Sequence, residues 1–356
     1  VLKLWTNNNS GDPITLLKCS SAEAEAQMVT NQIKTLHSKH QYQDFAVLYR
    51  TNAQSRTFEE QFTRNGIPYQ IIGGFKFYER TEVKDVLAYL RLAINSQDSV
   101  SQERVIKLGK RRYARFLNWL SKVKGNELES ATPYELIKQI LKTTQYLDKY
   151  DQKDSEDQDR LNNITELLSV ASQFEDAVLF LENVSLVQDD QLKDLPIEEQ
   201  NNRVSLMSLH SAKGLEFPVV FMVGMEEGLL PHSLSLFEKE QIEEERRLCY
   251  VGITRAKEKL FVSYATSRWL YGQSSQSKPS RFLSQLPKDQ LIIKQQINFE
   301  EDDRWHNSHK KWNYVSSNNS NKSNKLPKKY RLGIEVSEQE LDKLLNDEIE
   351  IEDFLE

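Results

Sequence analysis

Three short stretches of the 356-residue sequence combine side chains suited to holding a nucleotide or a polyanion. In the first, Ala46-Val47-Leu48-Tyr49-Arg50-Thr51-Asn52, an apolar run ends directly in an aromatic ring and a guanidinium. Ligands of parallel α/β sheets bind beyond the carboxyl ends of the strands. There a tyrosine can stack on a base while an arginine meets a phosphate. The second stretch, Leu-His-Ser-Ala-Lys-Gly-Leu-Glu-Phe at 209–217, joins two apolar runs and supplies donors, a point charge and a glycine turn. The third, Glu-Glu-Glu-Arg-Arg-Leu-Cys-Tyr-Val-Gly-Ile-Thr-Arg-Ala at 243–256, reads as a charged helix. Its apolar stripe runs through Leu248, Val251 and Ile253, and Arg255 lies near its end. Each stretch also has an ordinary reading: a strand-end tyrosine beside a solvated arginine, a polar connecting loop, the solvated face of a helix. Taken singly, none separates itself from that ordinary reading.

The elements that must position these residues alternate strand and helix over the first ninety or so positions. Apolar runs at 14–19, 45–49 and 69–72 read as strands, and the run at 45–49 has the uninterrupted character of a strand buried on both faces. Ser20-Ser21-Ala22-Glu23 reads as a capping box opening a helix to about Leu36, and further helices run to about Asn65 and over about 82–94. Strand signals then vanish from about 95 to 200, where amphipathic helices such as 134–143 and 159–174 are separated by polar loops. Strand and helix return with 204–209, 219–223, 243–253 and 260–264. Neither α/β flank has enough strands for a full sheet, so the spacing predicts one parallel sheet interrupted by a helical block.

Apolar residues make up 38% of the chain, charged residues 28%, and the net charge is −6. No apolar run approaches the roughly 20 residues of a membrane span. Val1 to Trp5 carry neither a signal core nor an initiator methionine, as expected of a chain that starts inside a longer one. Cys19 and Cys249 sit in apolar surroundings and read as reduced core residues, and the six histidines lack zinc-ligand spacing. Charge is unevenly spread: Arg104 to Gly125 holds eight Lys/Arg and no acid, whereas Glu338 to Glu356 holds nine Asp/Glu and one Lys. A local basic stretch suffices for phosphate contact whatever the net charge.

Together and in this order, the three stretches resemble the C-terminal motifs of superfamily 1 DNA helicases of the UvrD/PcrA type. Tyr-Arg-Thr-Asn-Ala-Gln-Ser-Arg at 49–56 looks like motif IV, and Ile-Pro-Tyr-Gln-Ile-Ile-Gly-Gly-Phe-Lys-Phe-Tyr-Glu-Arg at 67–80 like the segment after it. Residues 209–217, running on through Gly-Met-Glu-Glu-Gly-Leu-Leu-Pro-His at 224–232, look like motif V, and 243–256 like motif VI. Pro-Ser-Arg-Phe-Leu at 279–283 also fits. The likeness is close over about 1–95 and 200–290 and looser between.

The resemblance implies an α/β RecA-like parallel sheet domain, 2A (1–95 and 200–290). It is interrupted by an all-helical 2B insertion (96–199) and followed by a flexible linker and acidic tail (291–356). The implied function is the C-terminal portion of an ATP-dependent 3′-to-5′ DNA helicase of repair or replication, in the cytoplasm. ATP would lie between two RecA-like domains. Tyr49 would stack on adenine, Glu216 would bind the ribose, and Arg50 and Arg255 would act on the γ-phosphate. His210, Lys213 and the 228–232 loop with His232 would touch single-stranded DNA, and Lys110, Arg111 and Arg112 would meet the duplex. The further partners implied are the N-terminal helicase domain and repair or transcription proteins. Mg²⁺ would accompany ATP on ligands of the N-terminal domain.

Two features depart from the family. No G-x-x-x-x-G-K-[ST] and no Asp-Glu pair after an apolar strand occurs, so the chain alone is expected to hydrolyse no ATP. Lys107-Leu-Gly-Lys-Arg-Arg-Tyr-Ala-Arg-Phe116 stands where the family's duplex-contacting hairpin carries Arg-Gly-x-Gly. The competing reading is a non-catalytic DNA- or protein-binding module of the same fold. Tyr49, Arg50, Glu216 and Arg255, each in full motif context, favour the enzyme. A nuclease-fused relative would need a nuclease motif in 290–356, and none is recognisable.

Overall fold

The computed structural model describes residues 11–123, 128, 130–152, 154–188, 201–270 and 273–295. Seven strands form one sheet: β1 Ile14–Cys19, β2 Phe45–Tyr49, β3 Tyr69–Ile72, β4 Val204–Ser208, β5 Phe217–Met222, β6 Ala256–Ala265 and, beyond the hairpin β7 Ser267–Leu270 and β8 Gln273–Gln276, β9 Leu291–Gln295. Their order is β3-β4-β2-β5-β6-β1-β9 and every pairing is parallel. Strand β2 is buried along its whole length, as its unbroken apolar run requires of a central parallel strand.

Alternation along the strands sorts side chains between two layers. Phe45, Val47 and Tyr49 pack with Val29 and Ile33 of α1 (Ala22–Leu36) and with Phe58 and Phe62 of α2 (Ser55–Arg64). Ala46 and Leu48 face the other way, into a cluster with Met222, Leu260 and Cys249. Cys249 lies on the helix that covers that side, here called α9 (Lys239–Ile253). Helix α1 opens at Ser21, whose hydroxyl accepts the Ala24 N–H at 3.2 Å, a side-chain N-cap.

Among the described residues, six α-helices lie between β3 and β4: α3 Thr81–Ile94, α4 Ser99–Lys107, α5 Lys110–Lys122, α6 Pro133–Thr144, α7 Ser155–Ala171 and α8 Ala177–Gln188. They share a separate core that includes Val86, Tyr89, Phe116, Ile137, Leu167 and Phe180. The interrupted α/β architecture read from the sequence is therefore present. Its helical body begins earlier than residue 96, because α3 is apolar on nearly every side and packs among the helices. Order also extends past residue 291: Leu291-Ile292-Ile293 opens an edge strand beside β1 where a linker was expected. The acidic tail, residues 296–356, lies outside the described residues.

A polar seam joins the two bodies. Arg56 of α2, 3% exposed, reaches Glu60 at 2.9 Å and Glu166 of α7 at 2.6 Å. Arg80 donates to Asn163 Oδ1 at 2.7 Å and to Ser55 Oγ at 2.6 Å. Replacing Arg56 by Ala removes the guanidinium shared by Glu60 and Glu166 and leaves Glu60 only the longer contact to Arg64 at 4.0 Å. Breaking a buried pair in this way costs about 3–5 kcal/mol. Arg56→Ala is expected to lower stability to urea by that order; a loss below about 1 kcal/mol would show that the seam is not held by this ion pair.

Candidate nucleotide and nucleic-acid faces

The carboxyl edge of the sheet collects residues from three strands. Arg50 follows β2, His210 follows β4, and the loop through Gly224 and His232 follows β5. Arg50 lays its Nε and Nη2 against Glu245 of α9 at 2.7–3.1 Å. The His232 backbone N–H donates to the same carboxylate at 3.0 Å. From the helical body, Asp159 of α7 accepts from Asn52 Nδ2 at 3.1 Å. Burial and then the Arg50 charge hold the His210 and His232 imidazoles below the ordinary histidine value. Burial raises the Asp159 carboxyl against the pull of Arg50 and His232.

Two local devices fix this edge. Gln54 Oε1 accepts the backbone N–H groups of Arg50 at 3.0 Å and Thr51 at 2.9 Å, which sets the turn that turns Arg50 away from β2. Gly224 sits at φ +68° directly over Gln54, where a Cβ would collide with Nε2. The loop that follows is anchored by Arg268, which bridges Glu25 at 2.7 Å and Glu226 at 2.6 Å. Glu25 in turn accepts the Gly224 N–H at 2.9 Å.

A second group lies at the amino edge, where β5 and β6 begin. Arg255 ends the crossover from α9. Its Nε donates to Val251 O at 2.9 Å, Nη1 to Leu215 O at 2.8 Å and Nη2 to Thr254 Oγ1 at 2.9 Å. Three of the five guanidinium donors are thus committed, and two remain for an anion. Its carbonyl accepts the Phe217 N–H at 2.9 Å, so Arg255 brackets Glu216 through both of that residue's neighbours. Glu216 is exposed and lies 3.6 Å from Lys257 Nζ. Lys213 is exposed in the loop that crosses from one edge to the other.

Tyr49 is 1% exposed and packs beneath α2, so its ring presents no face to a base, which corrects the expected stacking on adenine. Arg50 is held by Glu245 in the middle of α9, beside His210 and His232, and Arg255 folds its Nε back to Val251 O near the end of the same helix.

The basic stretch is split in the same way. Arg104 pairs with Asp85 at 2.7 Å and Lys107 with Glu103 at 2.6 Å. Tyr113 is buried in the helical core. Lys110, Arg111, Arg112 and Arg115 line a cleft of about 520 Å³ opposite Gln145 and Asp148.

The family model of the UvrD-like helicase C-terminal domain matches residues 2–118 and 120–267. The chain belongs to the UvrD-like helicase C-terminal domain family. It is 40% identical to the ATP-dependent DNA helicase PcrA of Bacillus subtilis over 81% of this chain and 46% of that one. The figures are 38% and 37% for the PcrA helicases of Staphylococcus epidermidis and Staphylococcus aureus, with the same shares covered. The chain spans about half the length of these relatives. The C-terminal domain of a possible DNA helicase from Lactobacillus plantarum WCFS1 aligns over 80% of this chain and 86% of its own, at 11% identity and a TM-score of 0.35.

Within this UvrD-like domain the sequence reading missed the residues that hold the others. Glu245 was read as part of a solvated charged face, yet it is 5% exposed. The signal was present: Glu245 lies three and four positions before Leu248 and Cys249, on the same helix stripe. Asp159 and Gln54 carried no such signal. Gln54→Ala would leave the Arg50 and Thr51 amides without their acceptor, at about 1–3 kcal/mol for an unsatisfied buried donor. The expected result is a lowered unfolding midpoint with faster hydrogen exchange at those two amides; unchanged protection at both would show that another acceptor serves the turn.

Proposed function

We propose that this chain supplies the DNA-contacting and ATP-sensing part of an ATP-dependent 3′-to-5′ DNA helicase acting in repair or replication in the cytoplasm. The observation that carries the reading is the separation of two polar groups to the two edges of one parallel sheet, in a chain of the UvrD-like helicase family. Arg255 at the amino edge meets the γ-phosphate together with Arg50, with Glu216 beside Arg255 for the ribose. ATP and Mg²⁺ are held chiefly by the N-terminal helicase domain, which provides the phosphate cradle and metal ligands this sequence lacks. An arginine suits the role because charge gathers on the terminal phosphate in the transition state and the guanidinium is always charged.

At the carboxyl edge His210 and His232, with Lys213 on the loop beyond, contact single-stranded DNA. Arg50, whose Nε and Nη2 are held by Glu245, acts with Arg255 on the γ-phosphate. Lys110, Arg111 and Arg112 contact the phosphates of duplex DNA. No described helix is long and apolar enough to cross a membrane.

Three outcomes are expected. This chain alone hydrolyses no ATP. Joined to the ATP-binding half, Arg255→Ala and Arg50→Ala each lower DNA-stimulated turnover by about 10³–10⁵ with DNA affinity nearly unchanged, whereas His210→Ala loosens single-strand binding and lowers stimulation by DNA more than basal turnover. Replacing Lys110, Arg111 and Arg112 together by Ala flattens the salt dependence of duplex binding by up to about three and spares the single strand. Steady-state ATPase and anisotropy titrations across salt read all of these. Near-normal turnover in Arg255→Ala would make Arg255 structural and sink its assignment.

A further inference from the structure

Arginine charge is answered by carboxylates at several places in the fold. Arg56 meets Glu60 and Glu166, Arg104 meets Asp85, Arg268 meets Glu25 and Glu226, and Arg281 meets Glu227. The cleft along α5 is built differently. Lys110, Arg111, Arg112 and Arg115 line about 520 Å³ opposite Gln145 and Asp148, and the first turn of α5 holds no acid. Tyr113, Phe116 and Leu117 are buried in the helical core and fix which face of α5 is turned to it. Arg112 gives Nη1 to Leu108 O at 3.2 Å, and Arg115 gives Nη1 to Gln145 Oε1. Both acceptors are uncharged, so these bonds orient the two guanidinium groups and leave their charge standing. The sequence supplies a counterpart. Positions 338–356 hold nine Asp/Glu and one Lys. Residues 296–337 join them to β9 and can span up to about 140 Å at about 3.3 Å each, well beyond the roughly 50 Å diameter of a folded body of this size. Such a tether holds the acids at an effective concentration of about 1 mM, so a weak ionic contact is enough for docking.

We propose that the acidic segment 338–356 docks in the α5 cleft, where it meets Arg112 and Arg115 and keeps duplex DNA from the cleft until a duplex displaces it. The docking rests on the cleft and on the charge of the segment; its effect on DNA rests on the reading of the cleft as the duplex face. Carboxylates and phosphates compete for the same guanidinium forks, and both contacts weaken as salt rises. The exchange sets a threshold, because a duplex must out-compete a tethered anion before it occupies the cleft. The single-strand face at the sheet edge takes no part in it.

The test uses the full chain beside a variant carrying Glu348→Gln, Glu350→Gln, Glu352→Gln and Asp353→Asn. The contact is read by carbodiimide coupling, which joins a lysine amine to a touching carboxylate with loss of water, followed by peptide mass spectrometry. Lys110 is expected to couple to 338–356 in the native chain, with a yield that falls as salt rises. Arg115→Lys adds a second amine to the cleft and carries the same measurement where Lys110 does not react. The consequence is read by anisotropy with a DNA duplex and with oligodeoxythymidine. The four-residue variant is expected to bind the duplex about tenfold more tightly at low salt, the effect of removing a moderately weak contact tethered at about 1 mM, with affinity for oligodeoxythymidine unchanged. A mere loss of net negative charge would raise both affinities alike. No coupling from either amine to 338–356, or equal gains for duplex and single strand, overturns the proposal. Unaltered duplex binding when Lys110, Arg111 and Arg112 are replaced by Ala removes the duplex reading of the cleft instead, and the docking is then decided by the coupling alone.

Discussion

Strand β2 sits at the centre of a seven-stranded parallel sheet, between β4 and β5, and none of its five residues is more than 1% exposed. A strand in that position must be apolar on both faces, and its side chains must alternate between them. Every placement of the carboxyl edge follows from that constraint. Tyr49 is drawn into the layer under α1 and α2, where its hydroxyl is desolvated and its proton is held far above the ordinary tyrosine range by burial. Arg50, one residue on, goes to the opposite layer and meets α9. The loops after β4 and β5 arrive beside it because those strands are the immediate neighbours of β2.

The sheet and the helical body meet through charged and amide side chains rather than through a shared apolar core. The helices keep their own cluster and the two sides of the sheet keep theirs. An apolar contact tolerates sliding, whereas the Arg56–Glu60–Glu166 group and the Arg80–Asn163–Glu82 chain are satisfied in one register only. Hydrogen-bond geometry of that kind specifies orientation at little net gain in stability. It is also what places Asp159 within reach of Asn52, so a helix of the insertion contributes a carboxylate to an edge otherwise built from the sheet domain.

Much of this was legible in the residues. The strand runs at 14–19, 45–49 and 69–72 form as strands, α1 opens within the 20–23 capping signal but on Ser21 with Ala24 at N3, one residue on from the Ser20/Glu23 box, and the three polar stretches all lie at sheet edges. What failed had physical causes. Tyr49 and Arg50 are adjacent in the chain, yet the two-residue period of a strand sends them to opposite layers and buries the Tyr49 ring. Helix α3 looked like part of the sheet domain because chain order follows β3 directly, but an all-round apolar helix needs neighbours on every side and found them among α4, α6 and α7. The run at 291–293 was discounted because polar, low-complexity sequence follows, although β1 still had an unpaired edge for it to join. Glu245 and Asp159 act through partners distant in sequence, which only the fold brings near, whereas Gln54 serves a local turn, at Arg50 and Thr51, that no motif announces.

On the function proposed above, the charge distribution lets an acidic chain present two DNA-contacting faces of different character. At the carboxyl edge most arginine charge is already answered: Arg50 by Glu245, Arg268 by Glu25 and Glu226, with two imidazoles held towards neutrality. Such an edge offers oriented donors more than free charge, which suits a ligand whose position along the edge matters and which must be released again. The α5 cleft gathers Lys110, Arg111, Arg112 and Arg115 opposite Gln145 and Asp148. Counterion release scales with the phosphates neutralised, so on the function proposed above affinity for a polyanion would arise mainly at the cleft and register mainly at the sheet edge. A translocating enzyme needs both, because a strand gripped only by charge would slide without being counted, and one held only by oriented donors would be lost between steps.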